Sequence, residues 1–199
     1  MRKLLVALVL LLASLPAARA RADGISRIDK GTFQLSLDAL LISTYEKDEG
    51  ADSVFRANGD ARLGLHYFLA DNLALGLHAG LLVRKTGGTS RDLAFTADLS
   101  GRWYGRLGLG AFFAPELTLG GIFGDRDITL GGGLESHNSL TGFSAALRLP
   151  IAFFVSRVVS LEAGPQIIFS VASAKPDTGD ATSVTALDLG FNVGFVYTF

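Results

Sequence analysis

Residues of this chain alternate in character with period two, and do so eight times. In "ALDLGFNVGFVYTF" (186–199) one face reads Phe199, Tyr197, Phe195, Val193, Phe191, Leu189, Leu187, and the other Thr198, Val196, Gly194, Asn192, Gly190, Asp188, Ala186. The same pattern runs through "GTFQLSLDALLI" (31–42), "RANGDARLGLHYFL" (56–69) and "LALGLHAGLLVR" (73–84), then through about 93–104, 111–124, 140–153 and 159–171. Strict alternation is the signature of strands with one apolar face. Segments of about 12–15 residues are longer than ordinary soluble strands and suit tilted strands crossing a bilayer. The 24 glycines agree with strands rather than with a helical protein.

The connections alternate in length. Tight turns fall at 70–72, 106–110 and 155–158, and longer polar stretches at 45–55, 85–92, 125–139 and 172–183. This predicts an all-β, eight-stranded antiparallel up-and-down barrel with both termini on the short-turn side. A soluble eight-stranded barrel would point its apolar face inward. The interior of so narrow a barrel cannot hold five to seven bulky side chains from every strand, whereas the Gly, Ala, Ser and Asn face fits. The bulky face must therefore look outward, into lipid. Aromatic residues collect near both ends: Tyr67, Phe68, Trp103, Tyr104, Phe112, Phe113, Phe153, Phe154, Tyr197 and Phe199 at the short-turn end, and Tyr45, Phe55, Phe95, Phe123, Phe143 and Phe169 at the other. They are expected to form two interfacial girdles. Pro115, Pro150 and Pro165 interrupt this scheme, because a closed barrel has no free edge for a missing N–H; each must mark a bulge or a strand end.

The start "MRKLLVALVLLLASLPAARARA" has two basic residues, an apolar run from Leu4 to Leu15 and the cleavage patterns Ala18-Arg19-Ala20 and Ala20-Arg21-Ala22. It reads as a secretory signal peptide over 1–22, with the barrel domain over 23–199. Without cysteine, neither a lipid-modified N-terminus nor a disulfide framework is expected. Removal of Arg2, Lys3, Arg19 and Arg21 leaves 14 basic against 19 acidic residues, a net charge of −5 that argues against nucleic acid as a partner.

"YFLADNLALGLHAG" (67–80) and the terminal Tyr197-Thr198-Phe199, with Phe195, Val193 and Phe191 behind it, resemble the small outer-membrane β-barrel domain family, the OmpA/OmpX-like barrels. The resemblance spans the mature chain and implies a location in the outer membrane of a Gram-negative cell envelope, surrounded by lipid and lipopolysaccharide. It further implies that Phe191, Phe195, Tyr197 and Phe199 form a signal read by the β-barrel assembly machinery. The separate peptidoglycan-binding domain that some family members add is not expected here. The protein is expected to be a monomer, non-enzymatic, and either structural or surface-interacting through four extracellular loops; a narrow passive channel and a lipid A-modifying enzyme are the alternatives.

The inner face carries Asp38, Arg62, His78, Asp98, Glu116 and Arg148, each about five to seven positions above the short-turn end. These should form one mid-height belt of paired charges filling the lumen, with Arg56, Asp60, Arg84, Arg102, Glu162 and Asp188 above or below it. The enzyme alternative rests on Glu135, His137 and Ser139 in the longest loop, which would share one face of a strand. Neither cofactor nor metal is expected: three separated histidines and no cysteine make a poor zinc set, and the acidic stretch 45–52 lacks calcium-loop spacing.

Overall fold

The computed structural model describes residues 28–48, 54–86, 90–129, 135–176 and 180–199; the segment 1–22, expected to be a signal peptide, lies outside them. Among the described residues eleven strands form: β1 (Phe33–Asp48), β2 (Val54–Ala70), β3 (Leu73–Thr86), β4 (Ser90–Trp103), β5 (Gly105–Gly108), β6 (Ala111–Phe113), β7 (Glu116–Thr129), β8 (Glu135–Arg148), β9 (Ile151–Phe154), β10 (Val159–Pro176) and β11 (Thr182–Thr198). Eight are long, at 14–18 residues. They pair antiparallel in the order β1-β2-β3-β4-β7-β8-β10-β11, and β11 returns to β1. The ring is closed. Gln34 of β1 stands opposite Thr198 of β11, so the ends of the barrel domain meet on the short-turn side, as expected.

Two of the three extra strands arise at prolines, while β5 parts from β4 at Tyr104. Ala114-Pro115 separates β6 from β7, and Leu149-Pro150 separates β8 from β9. Pro165 stays inside β10, opposite Phe191 of β11. Its carbonyl accepts from the Leu149 amide at 2.9 Å, so its donor-free nitrogen faces the break at Leu149-Pro150. The ring of eight long strands is closed, and its prolines stand where neighbouring strands are interrupted at one level. Below that level β5, β6 and β9 extend one side of the wall.

At the other end the strands run further than the alternation alone suggested. β1 continues to Asp48, β4 begins at Ser90, β7 reaches Thr129 and β8 starts at Glu135, all inside stretches expected to be loop. Polar composition did not mark the limit of hydrogen-bonded pairing.

The faces are as volume required. Leu37, Leu77, Leu99, Leu119 and Phe191 point outward, while their chain neighbours Asp38, His78, Asp98, Thr118 and Asn192 are buried inside the ring. Trp103, Tyr67, Phe153 and Tyr197 form an outer aromatic row near the short turns, and Phe95, Phe123, Phe143 and Phe169 another near the opposite end. Four residues assigned to the lower girdle are not in it: Phe68, Tyr104, Phe112 and Phe154 point into the barrel and are fully or almost fully buried. Each belongs to an adjacent aromatic pair (67–68, 103–104, 112–113, 153–154), and in a strand only one of two neighbours can face out.

Candidate functional site

The described side chains of the lumen fall into three layers. At the short-turn end Phe68, Tyr104, Phe112 and Phe154 pack with Ala74, Ala114, Ala152 and Ile28. Their rings follow one another at centroid distances of 5.7, 6.3 and 5.4 Å. Ile28 reaches this layer because Asn72 clamps it: the Ile28 amide donates to Asn72 Oδ1 at 2.9 Å, and the Asn72 amide to the Ile28 carbonyl at 2.8 Å. Asn72 sits in the β2–β3 turn at φ 63°, a left-handed conformation that Asn tolerates. At the other end Leu82, Ala94, Ile122, Leu140, Ala172, Ala174 and Val184 form a second apolar layer.

Between them lies the charged belt. All six expected members, Asp38, Arg62, His78, Asp98, Glu116 and Arg148, are buried there. Arg62 Nη1 donates to Asp98 Oδ2 at 3.2 Å, and Ser144 Oγ to Asp98 Oδ1 at 3.2 Å. Arg148 Nη1 donates to Asp38 Oδ2 at 3.2 Å and lies 3.5 Å from Glu116 Oε2.

The centre of the belt is a residue that counting along strands placed elsewhere. Arg102 donates from Nη2 to Glu116 Oε2 at 2.6 Å and from Nη1 to both oxygens of Glu162 at 3.0 Å. Tyr104 hydroxyl bridges Gln34 Oε1 at 2.9 Å and Glu162 Oε1 at 3.0 Å. Arg102 and Glu162 were expected above or below the belt, and they belong to it. The reason is register: Arg102, Glu116 and Arg148 stand directly opposite one another on β4, β7 and β8. Strands in a tilted barrel are staggered, so equal distance from a turn is not equal height.

His66 and His78 join the same cluster. His78 Nε2 is 2.7 Å from Glu116 Oε1, His66 Nε2 is 3.0 Å from the same oxygen, and the two nitrogens are 3.1 Å apart. Together His66, His78 and Glu116 are the residues whose donor atoms converge closely enough to hold a metal ion among the described residues.

Glu135, His137 and Ser139 fall on β8 rather than in a loop. His137 and Ser139 share the exposed face, but the structure does not join them. His137 Nδ1 is 2.6 Å from Asp127 Oδ1, and Ser139 Oγ is 3.4 Å from the Lys175 carbonyl. The side chain of Glu135 lies outside the described residues, as do those of the acidic stretch 45–52.

A closed ring of eight long antiparallel strands, with a bulky apolar outer face and a belt of paired charges inside, defines a transmembrane β-barrel of the outer-membrane type. No protein-family model matches the chain, and no curated protein matches it in sequence. Solved structures do. The Neisserial surface protein A (NspA) is 15% identical with a TM-score of 0.58, the match covering 85% of this chain and 100% of that one. Outer membrane protein AlkL, determined in lipid bilayers, is 12% identical with a TM-score of 0.57 over 86% and 91% of the two chains. OprG of Pseudomonas aeruginosa is 15% identical with a TM-score of 0.50 over 86% and 97%. At such identities the likeness is one of fold: this chain has the small outer-membrane β-barrel fold that the OmpA/OmpX-like resemblance implied.

Proposed function

We propose that this is a non-enzymatic, monomeric integral protein of the outer membrane, exported by a signal peptide over residues 1–22. In this reading it serves as a closed scaffold whose activity lies in the four connections facing the cell exterior. The observation that carries this reading is the layering of the lumen. A water-filled pore needs continuous polar lining, and here an apolar layer lies on each side of the paired charges. Surrounding lipid and lipopolysaccharide are the immediate partners. The outward row Phe191, Phe195 and Tyr197 on β11, with Phe199 beyond it, supports a role as the edge read by the β-barrel assembly machinery before β11 closes onto β1.

Planar-bilayer recording of the refolded barrel tests the reading. The expected trace has no stable, large conductance. A reproducible open state with clear ion selectivity would replace the scaffold by the narrow-channel alternative.

A further inference from the structure

We propose that the lumen holds a divalent transition-metal ion of the zinc class, bound by His66 Nε2, His78 Nε2 and Glu116 Oε1. This site is independent of what the outer connections bind. The three atoms come from β2, β3 and β7 and form a triangle with sides of 2.7, 3.0 and 3.1 Å. Zinc bonds to nitrogen and oxygen run about 2.0–2.2 Å, which sets tetrahedral neighbours roughly 3.3 Å apart. The observed triangle reaches that size if the groups part by roughly 0.2–0.6 Å. Two imidazoles and one carboxylate are a donor set that zinc favours and that calcium and magnesium do not.

Four further features fit a built site. The ligand side chains are wholly inaccessible to solvent. The carboxylate divides its oxygens: Oε1 faces the imidazoles, while Oε2 accepts from Arg102 at 2.6 Å, the kind of outer hydrogen bond that orients a monodentate ligand. Space for the rings is kept by glycine. Gly76 stands opposite His66 and Gly64 opposite His78 in the β2–β3 ladder, and a Cβ on either would collide with the ring it faces. Ser100 Oγ, 3.1 Å from His78 Nε2, supplies a fourth donor atom at the same place. The ion would tie β2 and β3 to β7 across the barrel, where no main-chain pairing reaches.

The mature barrel is refolded into detergent micelles with zinc present from the start, because the closed lumen gives no later entry, and freed of loose metal by gel filtration. One zinc per chain is expected, together with a higher denaturant midpoint than for the barrel refolded in chelator. Cobalt in place of zinc should give the intense visible absorption of a four-coordinate site. His78→Ala should lose the bound metal, and His137→Ala, which alters the exposed His137–Asp127 pair, should keep it. No retained zinc overturns the proposal, and so does zinc that survives His78→Ala but not His137→Ala. Should His78→Ala not refold, the cobalt spectrum of the unaltered barrel decides: a weak six-coordinate band overturns the site, and the four-coordinate bands support it.

Discussion

Arg102 and Glu116 stand opposite each other on β4 and β7, with Nη2 and Oε2 2.6 Å apart inside the barrel, and neither side chain is reached by solvent. Each partner answers a charge that would otherwise be stranded. Arg102 also holds Glu162, and Glu116 also meets Arg148. Breaking a buried ion pair by removing one member typically costs about 3–5 kcal/mol. Arg102→Met should therefore lower the unfolding free energy of the refolded barrel by about that amount, read from urea titration in lipid vesicles. A change near zero would mean that the belt contributes nothing to stability.

Depth and facing separate two adjacent positions on β3. Leu77 points into the hydrocarbon and is 61% exposed on the isolated barrel, while His78 is buried in the lumen. Leu77→Arg places a charge in lipid and should cost roughly 2–4 kcal/mol near the midplane. His78→Glu brings a second carboxylate to Glu116 Oε1, the atom His78 now contacts at 2.7 Å, and should also destabilise. In a soluble barrel of inverted facing, His78→Glu would be silent and the protein would remain in solution without detergent. Denaturant midpoints of the two variants, with solubility after detergent removal, distinguish the cases.

Gly120 of β7 faces Asp98 of β4, and a Cβ there would run into the Ala97 carbonyl oxygen and the Asp98 backbone. Neither can swing aside as a side-chain tip could. Gly120→Ala should lower stability by about 1–3 kcal/mol, the range for overpacking. Gly108, whose added Cβ would meet nothing, serves as the comparison: Gly108→Ala should leave the thermal midpoint unchanged. Equal effects at both positions would refute the close approach of β4 and β7.

Asn72 performs two tasks, a positive φ and the clamp on Ile28. Asn72→Gly keeps the first and loses only the side-chain half of the second, because the backbone amide at 72 can still donate to the Ile28 carbonyl. Its cost, about 0.5–1.5 kcal/mol for one hydrogen bond, should be smaller than that of Asn72→Ala, which also strains the turn. The same order should appear in proteolysis of the segment before β1 by a protease confined to the short-turn side. Identical behaviour of the two variants would show that the turn conformation carries none of the effect.

Period two was enough to specify the strands of the barrel wall. Leu75 and Leu77 could be assigned to lipid, and His78 to the lumen, without coordinates, since Cβ direction alternates and eight bulky faces exceed the room inside a narrow barrel. The same rule, pressed one step further, would have divided each of the pairs Tyr67-Phe68, Trp103-Tyr104, Phe112-Phe113 and Phe153-Phe154 between the outer girdle and the inner plug. Polar composition was a poorer guide to where β1, β7 and β8 end, because pairing continues beyond the apolar band.

What sequence determined was therefore the kind of object: strand number, facing, and a lumen that must neutralise Asp38, Arg62, Asp98, Glu116 and Arg148 among themselves. Which charge meets which was decided by the tertiary structure alone. Closure of β11 onto β1 fixes the stagger of every strand, and stagger sets Arg102 beside Glu116 and carries His66 and His78 to one carboxylate oxygen. Height within a barrel is a property of the closed ring, and no stretch of a single strand encodes it.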